Sequence, residues 1–324
     1  MNKIFCVGLV VVDVPLRPVS GAVFSCDSVR IESPVWATGG DATNVAVTLK
    51  KLGVAASLCA LVGNDGYGDF VVERLTTLDI DLRSFCRHPT LPTSVSHILI
   101  EPEGERHFLL SGMINSELSY RYVKEELIDE ADIVYLGSAM YMCGMDEGGS
   151  AALFKRAHRA GKLTAADFGG GDAHDSVYWL HQLEPMLYET DILLPSYREA
   201  KTLTGKTELS DIRSVLSVFG AKLLIVKLGS KGCYLTDFKD EWYIPTFSEF
   251  KPVDTTGAGD SFVGGFLRGL LEGWSPENAA VFANVVASHN VTRIGATGGV
   301  PDFETAYTYV VEHTDNAARF PLKS

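Results

Sequence analysis

Short runs of β-branched and other apolar residues alternate with amphipathic stretches along most of this 324-residue chain. Between the apolar runs lie helical patterns, such as the recurrence of Ala42, Val45, Ala46, Leu49 and Leu52 on one helix face. The runs with the composition of strands buried on both faces are 4–12, 57–63, 132–138, 162–168, 191–195 and 222–229. This alternation predicts an α/β fold of three layers, α/β/α, with a mainly parallel central sheet covered by helices.

Two regions interrupt the alternation, at about 14–36 and 92–110. The second contains two alternating strands joined by a turn, with no helix between them. We expect the two regions to form a small antiparallel sheet that projects from the main body, as a lid over a site or as a dimer contact. Since the chain shows no internal repeat, low-complexity tract or linker, residues 1–324 are predicted to form one domain with this lid inserted.

Charge and cysteine usage narrow the classes of partner. The formal net charge of −13 would repel a phosphate backbone and an anionic bilayer alike, so nucleic acid and membrane are disfavoured. The apolar run at the N-terminus is short and ends in Asp13, which favours a buried strand over a signal peptide. The six cysteines are scattered without a Cys-x-x-Cys pair, which disfavours a metal site or a disulfide framework. We expect a cytoplasmic protein that acts on small molecules.

The stretch VDTTGAGDSFVGGF, residues 253–266, places a glycine cluster in front of a buried helix. Phe262, Phe266 and Leu270 recur at helical spacing, so the helix is predicted to begin near 257–260. The first N–H groups of a helix lack intrahelical partners and carry partial positive charge, so a phosphate would be stabilised there. Asp260 beside such a site suits a general base, and an ordinary helix-capping aspartate is the alternative.

Two other phosphate-binding motifs are incomplete in the chain. A Walker loop needs glycine five residues before its Gly-Lys-Ser/Thr, and Ala200 stands there in front of Gly205-Lys206-Thr207. A dinucleotide fingerprint that starts at Gly257 needs glycine where Phe262 stands.

The segment DTTGAGDSFVGGF resembles the C-terminal signature of the ribokinase-like sugar kinases, the PfkB carbohydrate kinase family. ATGGDATNVAVTLKKLG, residues 37–53, is similar to the family's first signature, and LVGNDGYGDF, residues 61–70, follows it in the family's order. The resemblance covers almost the whole chain. It implies a ribokinase-like fold, ATP and Mg²⁺ as cofactors, Asp260 as catalytic base, and an anion hole made by the amides of Gly257, Ala258 and Gly259.

On the nucleotide side, VKLGSKGCYL at 226–235 is similar to the family's nucleotide-contact loop, with a plain β-turn as the alternative. The positions that the resemblance assigns to ATP are Ser196, Lys227, Gly229, Ser230, Lys231, Gly232 and Asn284. An isolated helical asparagine such as Asn284 is otherwise most often a surface residue.

The chain departs from the family at a segment associated with magnesium. Where the family has Asn-x-x-Glu, this chain has Ser196 and Glu199, and Glu199 is expected to position Mg²⁺ through water. The segment DFGGGDAHD, residues 167–175, keeps Asp167 but replaces residues that are Asn and Arg in many sugar kinases. These departures leave open a protein that binds its ligands and has lost the chemistry.

On the substrate side, the resemblance assigns the sugar to Asp13, Gly39, Gly40, Asp41 and Asn44. Asp13 would accept hydrogen bonds from two hydroxyls, whereas Asp41 is alternatively the N-cap of its helix. Because none of these positions is basic, the sugar is expected to be neutral, although Arg106 and His107 on the lid could supply charge.

The segment NVTRIGATGGVP, residues 290–301, follows the ribokinase segment that holds a monovalent cation near the anion hole. The positions that the resemblance assigns to K⁺ are Asp254, Thr256, Asn290, Arg293, Gly295 and Gly299. A purely structural loop is the alternative.

Taken together, these residues predict an ATP- and Mg²⁺-dependent kinase that phosphorylates a hydroxymethyl group of a small neutral sugar. A nucleoside kinase is one alternative and would need an aromatic clamp, for which Phe24, Trp36, Phe108 and Tyr120 are the candidates. A sugar- or nucleotide-binding sensor without turnover is the other. Because lid strands have unpaired edges, a homodimer that pairs its lids is predicted.

Overall fold

The computed structural model describes residues 2–102, 105–170, 173–314 and 319–322, which form two sheets and the helices around them. The strands are β1 Lys3–Val7, β2 Val11–Leu16, β3 Ala37–Gly39, β4 Ala55–Gly63, β5 Phe85–His88, β6 Val95–Ile100, β7 Arg106–Ser111, β8 Ile133–Ala139, β9 Leu163–Phe168, β10 Ile192–Leu193, β11 Leu223–Lys227, β12 Cys233–Thr236 and β13 Glu241–Ile244. The α-helices are α1 Asp41–Lys51, α2 Gly66–Thr77, α3 Glu125–Glu130, α4 Ser150–Arg159, α5 Ser176–Leu187, α6 Tyr197–Thr204, α7 Leu209–Leu216, α8 Ala258–Leu271, α9 Pro276–Asn290 and α10 Phe303–His313.

The larger sheet has the order β13-β12-β11-β10-β9-β8-β1-β4-β5. Its pairs are parallel from β5 to β11, and β12 and β13 join antiparallel at one edge. Along β1, Ile4 and Cys6 belong to one hydrophobic cluster and Phe5 and Val7 to another, because successive side chains point to opposite faces. One cluster includes residues of α1 and α8 and the other residues of α4 and α5. The predicted three-layer fold with a mainly parallel sheet is confirmed.

The run 4–12, predicted as one strand, is two strands in two different sheets. β1 pairs with β4 and β8 in the larger sheet, whereas β2 pairs with β3 and β6 in the smaller one. The chain leaves the larger sheet at Gly8, whose N–H donates to the carbonyl of Cys59 at 3.1 Å. Apolar composition is continuous across this break because both strands are buried, so the pattern could not locate it.

The smaller sheet, called the lid here, has the order β3-β2-β6-β7. β6 and β7 are the predicted antiparallel pair, but β2 and β6 run parallel. The expectation of a purely antiparallel lid is therefore wrong. The segment 17–36 contributes no strand among its described residues, and the lid strands before α1 are β2 and β3 on either side of it.

The helix α8 is packed closely between α1 and α9 through glycines. A Cβ at Gly264 would stand 2.5 Å from Cγ2 of Thr48, which is on α1. A Cβ at Gly265 would stand 2.9 Å from Cα of Ala283, which is on α9. These close contacts explain why the helix contains glycines at positions where they lower helix stability. They also fix the position of the N-terminal end of α8.

No helix within the described ranges is long and apolar enough to cross a bilayer.

Candidate active site

The N-terminal end of α8 forms one wall of the site. Gly257 is its N-cap, with a φ of 70° in the left-handed region that favours glycine. A Cβ there would stand 2.0 Å from the carbonyl oxygen of Ala296, so a side chain does not fit. At Gly259, the nearest neighbour of an added Cβ would be Nζ of Lys227 at 3.5 Å. Gly257 thus permits the turn at the helix end, and Gly259 leaves the end open. Lys227 adds a positive charge beside backbone amides that are suited to bind an anion.

Asp260 lies in the first turn of α8 and faces α1. Its Oδ2 accepts a hydrogen bond from Nδ2 of Asn44 at 2.7 Å. Oδ1 of Asn44 is buried and accepts no hydrogen bond from any described residue. Burial raises the pKa of Asp260 to about 6, against the opposing effects of the Asn44 hydrogen bond and the Lys227 charge. The carboxylate is therefore mostly ionised at neutral pH, and its pKa is close to the value that suits a general base.

The alternative interpretation of Asp260 as an ordinary cap of its helix is wrong. The N-cap of α8 is Gly257, and Asp260 follows it within the helix. The bond from Asn44 also gives the carboxylate a partner from another element.

Lys227 and Asp167 form a buried ion pair at the ends of β11 and β9, with Nζ 2.5 Å from Oδ2. Burial raises the pKa of Asp167 to about 7, while the charge of Lys227 opposes this shift. Burial lowers the pKa of Lys227, but the charges of Asp167 and Glu199 outweigh it and the net direction is upward. Lys227 therefore stays positively charged within the site. Residues 171 and 172, in the glycine-rich segment after Asp167, lie outside the described residues.

Ser196 and Glu199 cap the start of α6 reciprocally. Oγ of Ser196 accepts from the N–H of Glu199 at 3.3 Å, and Oε2 of Glu199 accepts from the N–H of Ser196 at 2.7 Å. The serine that stands in place of the family's asparagine therefore has a structural use in this chain. The capping box also holds the Glu199 carboxylate on the wall of the cavity that Asp167 lines.

Within the parts of the chain that the structure describes, no three acidic, histidine or cysteine side chains converge as a self-sufficient metal site. Asp167 and Glu199 are nonetheless oxygen donors on one cavity wall. Such a pair fits Mg²⁺, which usually keeps several waters and binds phosphates of the substrate rather than an all-protein cage.

The turn after β11 contains the predicted nucleotide positions Gly229, Ser230, Lys231 and Gly232. Gly229 and Gly232 have φ values of 61° and 89°, and a Cβ at Gly232 would stand 2.0 Å from the carbonyl oxygen of Ile244. Both glycines are thus required by the backbone, as in the alternative of a plain turn, and the turn still lines the cavity.

Asn284 is a buried residue of α9 and not a surface one. Its Nδ2 donates to the carbonyls of Ile244 at 3.2 Å and Pro245 at 3.1 Å. Asn284 therefore fixes the chain where β13 ends and the cavity wall begins.

These elements enclose a cavity of about 730 Å³. Its lining includes the carboxylates of Asp41, Asp167 and Asp260 together with the turn at 229–232 and Asn284. Pro245, Phe247 and Phe250 add apolar surface to the lining. A volume of this order, lined by both charged and apolar side chains, suits a nucleotide-sized ligand.

Asp13 on β2 and Gly39 on β3 are diagonal neighbours in the lid, where Gly39 pairs with Val11 and Asp13 with Ala37. A Cβ at Gly39 would stand 2.3 Å from Oδ2 of Asp13, so the glycine leaves room for the carboxylate. Burial raises the pKa of Asp13 to about 6, and the charge of Asp254 adds to the shift. Gly40 is the N-cap of α1, with a φ of 94°, and has no room for a Cβ because the carbonyl oxygen of Leu9 would lie at 2.5 Å.

Asp41 begins α1 and is already bonded on both carboxylate oxygens. Oδ1 accepts from the N–H of Ala42 at 2.7 Å, and Oδ2 accepts from the hydroxyl of Ser138. Burial raises the pKa of Asp41 to about 7, and the charge of Asp260 adds to the shift. The alternative of Asp41 as N-cap is wrong, since Gly40 takes that position.

The loop residues predicted to hold a monovalent cation lie together, except for the side chain of Arg293. Oδ1 and Oδ2 of Asp254 accept from the N–H groups of Thr256 at 2.8 Å and Gly295 at 2.9 Å. Asn290 donates to the carbonyl of Ala296 at 2.8 Å and accepts from the N–H of Gly299 at 3.1 Å. The side chain of Arg293 is exposed.

Arg106 reaches this loop from the lid. Its Nη1 lies 2.8 Å from Oδ1 of Asp254 and also donates to Oγ1 of Thr256. His107, the other basic residue weighed for the lid, instead lies 2.9 Å from Oε1 of Glu101 and is exposed.

Sequence reasoning missed three residues that the fold brings to the site: Ser138, Phe247 and Phe250. Ser138 bonds Asp41. Phe247 and Phe250 lie in the loop after β13, where aromatic residues outside any periodic pattern were the available signal.

Comparison with known proteins gives consistent relatives. An ATP-dependent 6-phosphofructokinase from Thermoanaerobacterium thermosaccharolyticum is 25% identical over 88% of this chain and 87% of its own length. Fructokinase-1 from Oryza sativa subsp. japonica is 28% identical over 83% of this chain and 88% of its own length. The crystal structure of ribokinase from Thermotoga maritima matches with a TM-score of 0.82 and 26% identity, covering 96% of this chain and 99% of that chain.

The family profile of the pfkB family carbohydrate kinases matches residues 1–302. This match spans both sheets, the lid and the N-terminal end of α8. The resemblance seen in the sequence is confirmed, and the chain belongs to the pfkB family of carbohydrate kinases.

Proposed function

We propose that this chain transfers the terminal phosphoryl group of ATP to a hydroxymethyl group of a small neutral sugar, with Asp260 as general base. The observation that carries the proposal is the Asn44–Asp260 pair at the open end of α8. A base must lie within hydrogen-bond reach of the proton that it accepts and have a pKa near the working pH. The pKa of about 6 at Asp260 meets the second need, and the unpartnered Oδ1 of Asn44 can hold the sugar hydroxyl for the first.

The nucleotide is proposed to lie along the cavity. Its base and ribose lie between the turn at 229–232 and the apolar wall of Phe247 and Phe250, and Asn284 acts by holding that wall in place. The transferred phosphoryl group lies against the amides of Gly257, Ala258 and Gly259. A helix N-terminus and a fixed cation stabilise the charge that develops there, and Lys227 supplies the cation.

Mg²⁺ is proposed to be held by Glu199 through water, with Asp167 on the same wall. When bound, the metal neutralises phosphate charge. The residues of this chain keep that corner ordered: the capping box fixes Glu199 and the ion pair with Lys227 fixes Asp167. The amide of Ser196 bonds the Glu199 carboxylate, so the serine acts by positioning this residue.

The acceptor is proposed to be neutral because none of the positions assigned to the sugar is basic. Arg106, the lid residue that could have supplied charge, is paired with Asp254. Asp13 and Asn44 offer hydrogen-bond acceptors, which suit hydroxyls, and the carboxylate of Asp13 would repel a phosphate or carboxylate. Since relatives of the chain include both a fructokinase and a 6-phosphofructokinase, family membership alone leaves the sugar undetermined.

Two alternatives have less support. A nucleoside acceptor needs an aromatic clamp, but Trp36 packs against Tyr67 with ring centroids 4.7 Å apart, and Phe24 is 90% exposed. A sensor without chemistry was suggested by Ser196, but the capping box of this serine still holds Glu199 on the cavity wall. Potassium also has less support than Mg²⁺, because the guanidinium of Arg106 already places a positive charge 2.8 Å from Oδ1 of Asp254 in that loop.

The experiment is a turnover screen of neutral pentoses, hexoses and nucleosides with ATP and Mg²⁺, read by a coupled assay for ADP and paired with calorimetry. Turnover of one neutral sugar well above the nucleosides is expected. Binding of a sugar without turnover would favour the sensor, and turnover limited to a phosphorylated sugar or a sugar acid would contradict a neutral acceptor.

We also propose a homodimer that pairs its lids. On the outer edge strand β7, Phe108, Leu109 and Leu110 are 54%, 57% and 65% exposed, which is unusual for consecutive apolar side chains. Light scattering is expected to give twice the chain mass of 35.2 kDa. A monomeric mass at micromolar concentration with full activity would contradict the proposal.

A further inference from the structure

Arg106 joins the lid to the loop in front of α8. It is the first residue of β7, and its side chain is 25% exposed. Nη1 lies 2.8 Å from Oδ1 of Asp254, whose side chain is 12% exposed, and donates to Oγ1 of Thr256 as well. A guanidinium with two oxygen partners at this depth is held more firmly than a surface ion pair.

Asp254 connects three segments of the chain. Its carboxylate accepts from the N–H of Thr256 in its own loop and from the N–H of Gly295, and it forms an ion pair with Arg106 on the lid. Its own N–H donates to the carbonyl of Val291 at 3.1 Å. Burial raises the pKa of Asp254, but the hydrogen bonds from Gly295 and Thr256 and the charge of Arg106 outweigh it, and the net direction is downward.

An ionised Asp254 without a counter-charge would oppose the chemistry proposed for the neighbouring helix end. Its charge reaches Asp13 on the sugar side, where it raises the pKa of that carboxylate. It also lies in the loop whose next residues form the proposed anion hole at Gly257 to Gly259. A fixed negative charge at that place would disfavour the phosphates unless a cation balanced it.

We propose that Arg106 is the resident cation of this loop and a positioning residue for the phosphoryl transfer. Its guanidinium pairs with Asp254 and bonds Thr256, two of the positions that the resemblance assigns to a monovalent ion. In doing so it fastens the lid to the N-terminal end of α8, so that the sugar side and the phosphate side of the site are aligned together. Turnover therefore needs no added monovalent cation, and a requirement for one should arise when the guanidinium is removed. The inference rests on the proposed kinase function.

The test compares wild type, Arg106→Gln, Arg106→Lys and Arg17→Gln in potassium and in tetramethylammonium chloride at equal ionic strength. Arg17 is the matched control, because it forms a 2.8 Å ion pair with Glu32 in the segment between β2 and β3, away from Asp254. The turnover of wild type and of Arg17→Gln is expected to differ by less than about twofold between the two salts. In tetramethylammonium, the turnover of Arg106→Gln is expected to be about tenfold below wild type, as for one lost charge-assisted hydrogen bond. In potassium, it should recover to within about threefold of wild type. Arg106→Lys keeps a cation in reach of Asp254 and is expected to stay indifferent to the salt.

Two results would overturn the proposal. One is a wild type that potassium activates strongly, since the loop would then lack a resident cation. The other is an Arg106→Gln variant that is unaffected, or that loses activity without rescue by potassium, since Arg106 would then be dispensable or bind substrate directly.

Hydrogen exchange separates failure of this inference from failure of the proposed function, because it needs no turnover. The amides of Thr256 and Gly295 both donate to Asp254. In tetramethylammonium, they are expected to exchange about tenfold faster in Arg106→Gln than in wild type, and potassium should restore their protection. Equal exchange in both proteins would overturn the inference even if no sugar were turned over.

Discussion

The starts of α1 and α8 are built alike. Each helix has a glycine N-cap with positive φ, 94° at Gly40 and 70° at Gly257, that has no room for a Cβ. Each places an aspartate in its first turn, and burial raises the pKa of both, to about 7 at Asp41 and about 6 at Asp260.

The two aspartates differ in what holds them. Asp41 is bonded by its own neighbour Ala42 and by Ser138, so both oxygens are used within the protein. Asp260 is bonded by Asn44 on one oxygen and faces the cavity beside Lys227. The same local sequence device therefore gives a carboxylate with both oxygens bonded at Asp41 and one bonded by a side chain of another helix at Asp260.

The comparison is tested most strongly by Asp260→Asn. The amide keeps the shape but cannot take a proton, so kcat is expected to fall by about 10²–10⁴ while ATP affinity and fold persist. Steady-state kinetics and calorimetry measure this. The matched variant is Asp41→Asn, which is expected to change kcat/KM by about tenfold at most, as for one altered hydrogen bond. Near-normal turnover by Asp260→Asn would remove the difference between the two aspartates.

Gly259→Val tests whether the open end of α8 is a phosphate site. Because an added Cβ meets Lys227 at 3.5 Å and no closer atom, the fold should tolerate the change. The branched side chain would keep a phosphate from the amides, and we expect kcat/KM for ATP to fall by about 10–100-fold, as for one lost hydrogen bond to a charged group. Gly66→Val in the first turn of α2, where an added Cβ has no neighbour within 4 Å, is the control. An equal loss in both would point to helix destabilisation.

The pH dependence of kcat/KM tests the ionisation of Asp260. With a pKa of about 6, its unprotonated fraction falls about tenfold from pH 7 to pH 5, and the rate should follow. Asp260→Asn should lack this limb, whereas Asp41→Asn should keep it. A wild-type rate that stays level down to pH 5 would contradict Asp260 as the base.

The smallest expected effect is on stability. A carboxylate with a raised pKa in the folded state holds its proton longer than in the unfolded chain, so its contribution is present at low pH and is lost as the pH rises from about 4 to about 7. Wild-type Tm should therefore fall over this pH range, and Asp41→Asn should reduce the fall by a few degrees. For a protein of this size, such a shift corresponds to about 1 kcal/mol in the free energy of unfolding. Asp302→Asn is the control, and its effect on the pH dependence of Tm should have the opposite sign, because hydrogen bonds from Thr305 lower the pKa of Asp302. An unchanged slope in Asp41→Asn would show that this carboxyl is not the buried acid described.

The helices of this comparison could be predicted from sequence because their signal is local. Periodic apolar residues located α1 and α8, and the glycine clusters located their starts. The break between β1 and β2 could not be predicted, since both strands are buried and the apolar run is continuous. The parallel pairing of β2 with β6 depends on how distant segments meet, which periodicity does not report.

The site divides in the same way. Asp260, Asn44 and the turn at 229–232 were found through contiguous motifs. Ser138, Phe247 and the contact of Arg106 with Asp254 were not, because each lies in a loop or on an edge strand and gains its neighbours only from the tertiary fold. Whether a residue such as Ser196 caps a helix or binds a ligand also depends on its rotamer and partners, which the sequence leaves open.

The close contact between Gly264 and Thr48 has a consequence for how the protein can change. The hydrogen bond from Asn44 to Asp260 spans two helices, and the distance between those helices is set further along by this contact, where an added Cβ would stand 2.5 Å from the threonine. A methyl group at Gly264 would wedge α1 away from α8 and lengthen the bond at the other end. The packing of α1 against α8 in the core therefore sets the distance between Asn44 and Asp260. Mutations that enlarge a side chain at this contact would alter the rate, although the contact lies away from any ligand.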